Sequence, residues 1–123
     1  MHKRIFILLV LLIGVFQKRS SAQGIEKADT GIASYYSKKF HGRKTASGQL
    51  FHVDSMTAAH KKLPFGTRVK VTNLRNGKSV VVTINDRGMK GKNRIIDLSP
   101  AAARKIGIID RGLAKVAVSV VNR

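Results

Sequence analysis

Asn76-Gly77, set between two β-rich runs, constrains the fold of this chain more than any other feature of its sequence. A two-residue hairpin turn that follows the twist of its strands needs positive φ at both central residues, and Asn-Gly adopts it most readily. The dipeptide therefore predicts a hairpin. Arg68 to Leu74 alternates Val69 and Val71 with Lys70 and Thr72, and Ser79 to Ile84 returns beside it. Val80, Val81 and Val82 are consecutive and β-branched, which predicts a strand buried on both faces. Further alternating or short apolar runs lie at Gly31 to Tyr36, Met56 to Ala59, Ile95 to Leu98 and Ala114 to Val121. After the third of these, Ser99 is placed to cap a helix, Pro100 to open it, Ala101 to Ile106 to form it and Gly107 to stop it. Many short strands with tight turns favour a closed sheet, because closure removes exposed edges. The expectation is a mainly β fold, a six-stranded barrel with one short helix.

The first residues have a different character. His2, Lys3 and Arg4 precede an apolar run from Ile5 to Phe16, broken by Gly14. That run is shorter than the ~20 residues of a spanning helix. With Ser20, Ser21 and Ala22 offering a small-residue cleavage site, residues 1–22 are expected to be a signal peptide. Residues 23–30 are expected to be a flexible lead and residues 31–123 the barrel domain, in an exported protein, periplasmic or secreted.

Charge narrows the partners. Setting aside Lys3, Arg4, Lys18 and Arg19 leaves 20 basic residues against six acids, a net charge of +14. Such a field concentrates polyanions: wall carboxylates, teichoic acids or anionic lipid outside the cytoplasm, nucleic acid inside it. The leader and an aromatic content of 6%, too little to stack many bases, argue against nucleic acid. The sequence has no cysteine, which removes disulfides, thiolate zinc sites and a lipidated cysteine from consideration. A monomer without a stable membrane anchor after cleavage is expected. His41, His52 and His60 lack the spacing of a metal site, and neither metal nor cofactor is expected.

Several segments in register resemble one known family. Gly31-Ile32-Ala33-Ser34-Tyr35-Tyr36, Phe40-His41-Gly42-Arg43, Thr45-Ala46-Ser47-Gly48, Thr57-Ala58-Ala59-His60, Asn85-Asp86-Arg87-Gly88 and Ile96-Asp97-Leu98-Ser99 are similar to the rare lipoprotein A type of double-psi β-barrel. The resemblance covers nearly all of Gly31 to Val121. It implies a double-psi barrel shared with expansins and family 45 glycoside hydrolases. It also implies lytic transglycosylase activity on peptidoglycan glycan strands, leaving 1,6-anhydro ends, often on glycan stripped of its stems. Non-catalytic wall binding or loosening, in the manner of expansins, is the alternative. Family members commonly carry an acid where this chain has Gln49, whose amide cannot exchange a proton at neutral pH.

Cleavage of a glycosidic bond needs a proton delivered as an oxocarbenium-like centre develops, which carboxylic acids supply. Outside the lead there are four candidates: Asp54, Asp86, Asp97 and Asp110. Asp86, at the end of a strand, matches the family's functional aspartate and is read as proton donor and returning base. Asp97 sits in the apolar setting Ile95-Ile96-Asp97-Leu98, which would raise its pKa toward that of a general acid. It matches the acid of the glycosidase relatives. His60, also a match to a functional family residue, completes the catalytic set. Substrate contacts are expected from Tyr36, Arg43, Thr45, Gln49 and Arg87, with at most one of Tyr35 and Tyr36 lining the groove because neighbours on a strand face opposite ways.

Overall fold

The alternating runs form strands that close on themselves. A computed structural model describes residues 28–88 and 91–122. The expected signal peptide and most of the expected lead lie outside the described residues. Among the described residues there are six strands, β1 (Asp29–Tyr35), β2 (Thr57–Ala59), β3 (Arg68–Asn73), β4 (Ser79–Asp86), β5 (Arg94–Leu98) and β6 (Ala114–Asn122), with one α-helix, α1 (Pro100–Lys105), before β6 and a single 3-10 turn at Lys38–Phe40. They form a closed barrel in the order β1-β5-β2-β4-β3-β6. The β1/β5 and β2/β4 pairs are parallel and the other neighbours antiparallel. The expected six-stranded barrel with a short helix is the observed architecture.

Three local expectations need correction. The hairpin exists, but its turn is not the two-residue type. β3 stops at Asn73 and β4 starts at Ser79, and the Asn73 amide donates to Lys78 O at 2.8 Å while that of Gly77 donates to Asn73 O at 2.8 Å. In this longer loop only Gly77 takes positive φ, 78°. Asn76 acts through its side chain, Oδ1 accepting from the Lys78 amide at 2.9 Å and Nδ2 donating to Ile106 O at 3.1 Å. Secondly, β4 buries one face: Val80, Val82 and Ile84 point into the core while Val81 and Thr83 remain partly exposed, because a barrel wall has one interior side. Thirdly, β1 begins at Asp29 rather than Gly31, because Asp29 and Thr30 pair with Val118 and Ala117 of β6. The last residues of the expected lead thus belong to the barrel.

The helix signals act as read. Ser99 Oγ accepts from the Ala102 amide at 3.2 Å, Pro100 stands in the first turn, and Gly107 takes φ 76° just past the end. The helix buries Ala101, Ala102 and Ala103 against the barrel, where Ile84, Ile96, Leu98, Ile106 and Val116 form the core. Gly31 marks a close approach of β1 to β5. A β-carbon there would stand 2.6 Å from Ile95 Cγ2 and 2.8 Å from the backbone oxygen of Asn93.

Candidate active site

Sheet register brings two of the four candidate acids together. Ala59 of β2 is the partner of Asp86 on β4 and also of Asp97 on β5. The two aspartates therefore flank one central strand at the same level, two strand spacings or roughly 10 Å apart at the backbone. Both line a cleft of about 410 Å³ together with Tyr36, Arg43, Thr45 and Arg87. Ala59 itself is fully buried.

The two carboxyl groups have opposite surroundings. Asp86 is encircled by donors: Oδ1 accepts from the Ala46 and Arg87 amides, each at 2.8 Å, and Oδ2 from the Tyr36 hydroxyl. These bonds suit an ionised carboxylate. Burial pushes Asp97 above the usual carboxylate range; Ser34 and Arg94 oppose the shift, and the charge of Asp86 adds to it. Asp97 Oδ1 accepts from the Ser34 hydroxyl at 2.7 Å and lies 4.0 Å from Arg94 Nη2, which itself donates to Ser34. Among the described residues Oδ2 accepts no hydrogen bond, so it is the oxygen free to carry a proton. Burial, the bond to Asp86 and the nearby acids raise Tyr36 well above an ordinary tyrosine, which keeps its phenol a neutral donor.

The remaining expected residues divide. Arg43 rims the cleft 5.4 Å from the Phe40 ring centre, and Arg87 stacks over Phe65 at 4.2 Å while Nη1 donates to His60 O at 3.2 Å. Thr45 is buried in the cleft wall, and its hydroxyl donates to Gln49 O at 2.7 Å, a bond that holds the loop. The Gln49 side chain is outside the cleft lining and accepts from Asn85 Nδ2 at 3.1 Å. His60 faces a neighbouring hollow of about 230 Å³ shared with Asp29, Lys62 and Arg94. Its Nδ1 accepts from the Lys62 and Leu63 amides at 3.1 Å. Burial lowers its pKa, with Asp29 opposing and Arg87 and Lys62 adding, so the ring is neutral with its proton on Nε2. His60 meets the carboxylate site through its backbone, donating to Asp86 O at 3.1 Å. Asp54 lies on the exposed surface, 3.9 Å from Arg104.

Sequence reasoning missed Ser34, Arg94 and the aromatic ring of the site. Both tyrosines border the cleft, against the expectation of one, but the Tyr35 phenol is turned away to Ile109 O at 2.8 Å. Tyr36 stacks on Phe51 at 4.5 Å and meets the edge of Phe40 at 6.3 Å. Tyr36, Phe40 and Phe51 thus gather at this one site, with Phe65 beside it beneath Arg87. The sequence shows only that these aromatics are few; their meeting at the cleft is set by the fold.

A closed mixed barrel of this topology, with paired acids across its central strand, defines a double-psi β-barrel protein. A family described as "Lytic transglycolase" matches residues 28–118, and the chain belongs to that family. It is 53% identical over 107 residues to the endolytic peptidoglycan transglycosylase RlpA of Pasteurella multocida, covering 87% of this chain and 36% of the relative. With its counterpart in Vibrio cholerae it is 55% identical over 94 residues, covering 76% of this chain and 36% of that protein. The chain thus spans about a third of the length of the curated relatives it matches. Among solved structures, the Streptomyces papain inhibitor matches with a TM-score of 0.64 and 26% identity, covering 80% of this chain and 97% of that one. An expansin of Clavibacter michiganensis shares the fold, with a TM-score of 0.61, 24% identity, and coverage of 77% of this chain and 50% of that one.

Proposed function

We propose that this protein is an exported, monomeric lytic transglycosylase that cleaves peptidoglycan glycan strands, periplasmic or secreted in location. The observation that carries the reading is the pair of aspartates flanking Ala59 in opposed environments, one hydrogen-bonded as an anion and one biased toward its protonated form. That division supplies an acid and a negative charge in one cleft. Asp97 donates its proton to the glycosidic oxygen as the bond to the muramic acid C1 breaks, and the Asp86 carboxylate stabilises the oxocarbenium-like centre. The C6 hydroxyl of the same sugar then bonds to C1, its proton passing to the Asp97 carboxylate. The products are a 1,6-anhydro end and a free 4-hydroxyl, no water is consumed, and Asp97 regains its proton. This assigns proton donation to Asp97 rather than to Asp86. Tyr36, backed by the buried Phe51, and Phe40 support stacking on a sugar ring, and Arg43 and Arg87 suit the carboxylates of the polymer.

The test is incubation of the purified protein with intact and amidase-treated sacculi, followed by mass spectrometry of the soluble fraction. Anhydro-ended products are expected, more from the amidase-treated wall if stem-free glycan is preferred. Salt-sensitive pelleting with sacculi and no soluble product would replace the enzyme with a wall-binding barrel. One feature favours that second reading: Gln49 stands where the resemblance to the family implies an acid. Gln49→Glu separates the two. Its carboxylate would accept from Asn85 one residue from Asp86, and a rise in anhydro-product yield of about tenfold or more would show that an acid at this position reaches the reaction from outside the cleft lining. An unchanged yield would limit position 49 to holding the loop.

A further inference from the structure

We infer that the surface formed by the 74–78 loop and the segment joining α1 to β6 docks on an anionic phospholipid surface. A second hollow, about 450 Å³, opens between the 74–78 loop and the segment joining α1 to β6, lined by Arg75, Asn76, Ile108, Arg111, Leu113 and Lys115. No residue lines both this hollow and the catalytic cleft. Among the described residues no carboxylate lines it, and none of Arg75, Arg111 and Lys115 is in an ion pair. Its shape is fixed without these cations, because Asn73 Nδ2 and Asn76 Nδ2 both donate to Ile106 O, at 2.8 and 3.1 Å. The cations are free to meet phosphate.

Beside them stand two exposed leucines, Leu74 at 49% and Leu113 at 51% exposure. The Leu74 amide donates to Lys115 O at 3.1 Å, which joins the two loops into one surface. Exposed leucines framed by cations match a bilayer interface, where apolar side chains enter the acyl boundary and the cations stay with the headgroups. A soluble phosphate polymer would use the cations but not the leucines. No helix among the described residues is long and apolar enough to cross a membrane, so the contact is one of surface docking. Asp86 lies seven residues along β4 from Ser79, roughly 23 Å away.

The experiment is sedimentation of the whole chain with vesicles of equal phosphatidylglycerol and phosphatidylcholine, with pure phosphatidylcholine vesicles as control. Binding is expected to the anionic vesicles alone. Arg75→Gln with Arg111→Gln is expected to weaken it by about fivefold per cation, and Leu74→Ser with Leu113→Ser by about tenfold or more without changing charge. Lys61→Gln with Lys62→Gln removes the same charge at the other end of the barrel, and its expected effect is less than threefold. All six positions are exposed, so unchanged unfolding midpoints are expected. An equal loss in the Lys61/Lys62 pair, or none in the leucine pair, would overturn the inference in favour of diffuse charge. Inorganic polyphosphate that binds through Arg75 and Arg111 while the leucines prove irrelevant to vesicle binding would assign the hollow to a soluble polymer.

Discussion

Asp97→Asn is expected to abolish the proposed glycan cleavage, by a factor of about 10²–10⁴ for loss of a general acid, while the barrel unfolds no more easily at neutral pH than before. The two results belong together. In the wild type, burial holds the carboxyl above its unfolded value, so the folded state binds more protons than the unfolded one between those two values. Stability therefore falls as pH rises from the ordinary aspartate range through the raised value of Asp97, and above it the fold carries a disfavoured charge. Asparagine removes that charge and can still accept from Ser34. Urea unfolding at several pH values should show a shallower fall in the variant. Cleavage by the wild type should decline over the same rise in pH, as the donor loses its proton. A structural acid would give the opposite pattern: Asp97→Asn would lower the unfolding midpoint and leave the turnover of the remaining folded protein intact. Asp86→Asn is expected to stop cleavage too, but to loosen the 43–49 loop, because the Ala46 amide, the Arg87 amide and the Tyr36 hydroxyl all bond to its carboxylate.

The second large effect falls on stability. Gly31→Ala is expected to cost about 1–3 kcal/mol, the range for forcing an extra carbon into a packed site, read as a lower urea midpoint with an unchanged slope. The Ile95 methyl can turn aside, but the Asn93 carbonyl cannot: it already accepts from the Ile32 amide at 2.7 Å. Relief requires β1 and β5 to part. Gly31→Val should cost more than alanine, since its two further methyls enter the same gap. Equal midpoints for wild type and Gly31→Ala would mean that these strands separate freely, and the close approach would have no energetic weight.

Local chemistry was legible in the sequence wherever the signal was self-contained. The Ser99 cap, Pro100 and the Gly107 stop concern adjacent residues, and each acts as read. Asn76-Gly77 marked the hairpin but not its turn, because Asn76 bonds to Ile106, thirty positions away, and that tertiary contact favours the longer loop. Likewise, three consecutive valines could not reveal that Val81 faces outward. Asp86 and Asp97 stood out because acids are scarce in a basic chain. What joins them is register across β4, β2 and β5, in which one pair is parallel and thus invisible to local pattern. His60 was singled out through the family resemblance; its Nδ1 is engaged in a local turn and its ring faces the adjoining hollow, a placement that depends on the tertiary fold. Ser34 and Arg94 lacked any signal of their own; they matter because β1 runs parallel to β5 and sets Ser34 beside Asp97.

Closure of the barrel also governs how the chain reaches its native state. The seam pairs Asp29 with Val118, and β3 finds most of its partners on β6, so the pairings that complete the sheet are remote in sequence. Folding must surrender the entropy of large loops before those pairings form, which places the barrel among slow folders, on the millisecond-to-second scale. Until β6 is available, the facing edges of β3 and β1 each lack a neighbour and are open to association with other chains. The excess of lysine and arginine then has a role unconnected with any ligand: mutual repulsion keeps open chains apart while they search for closure.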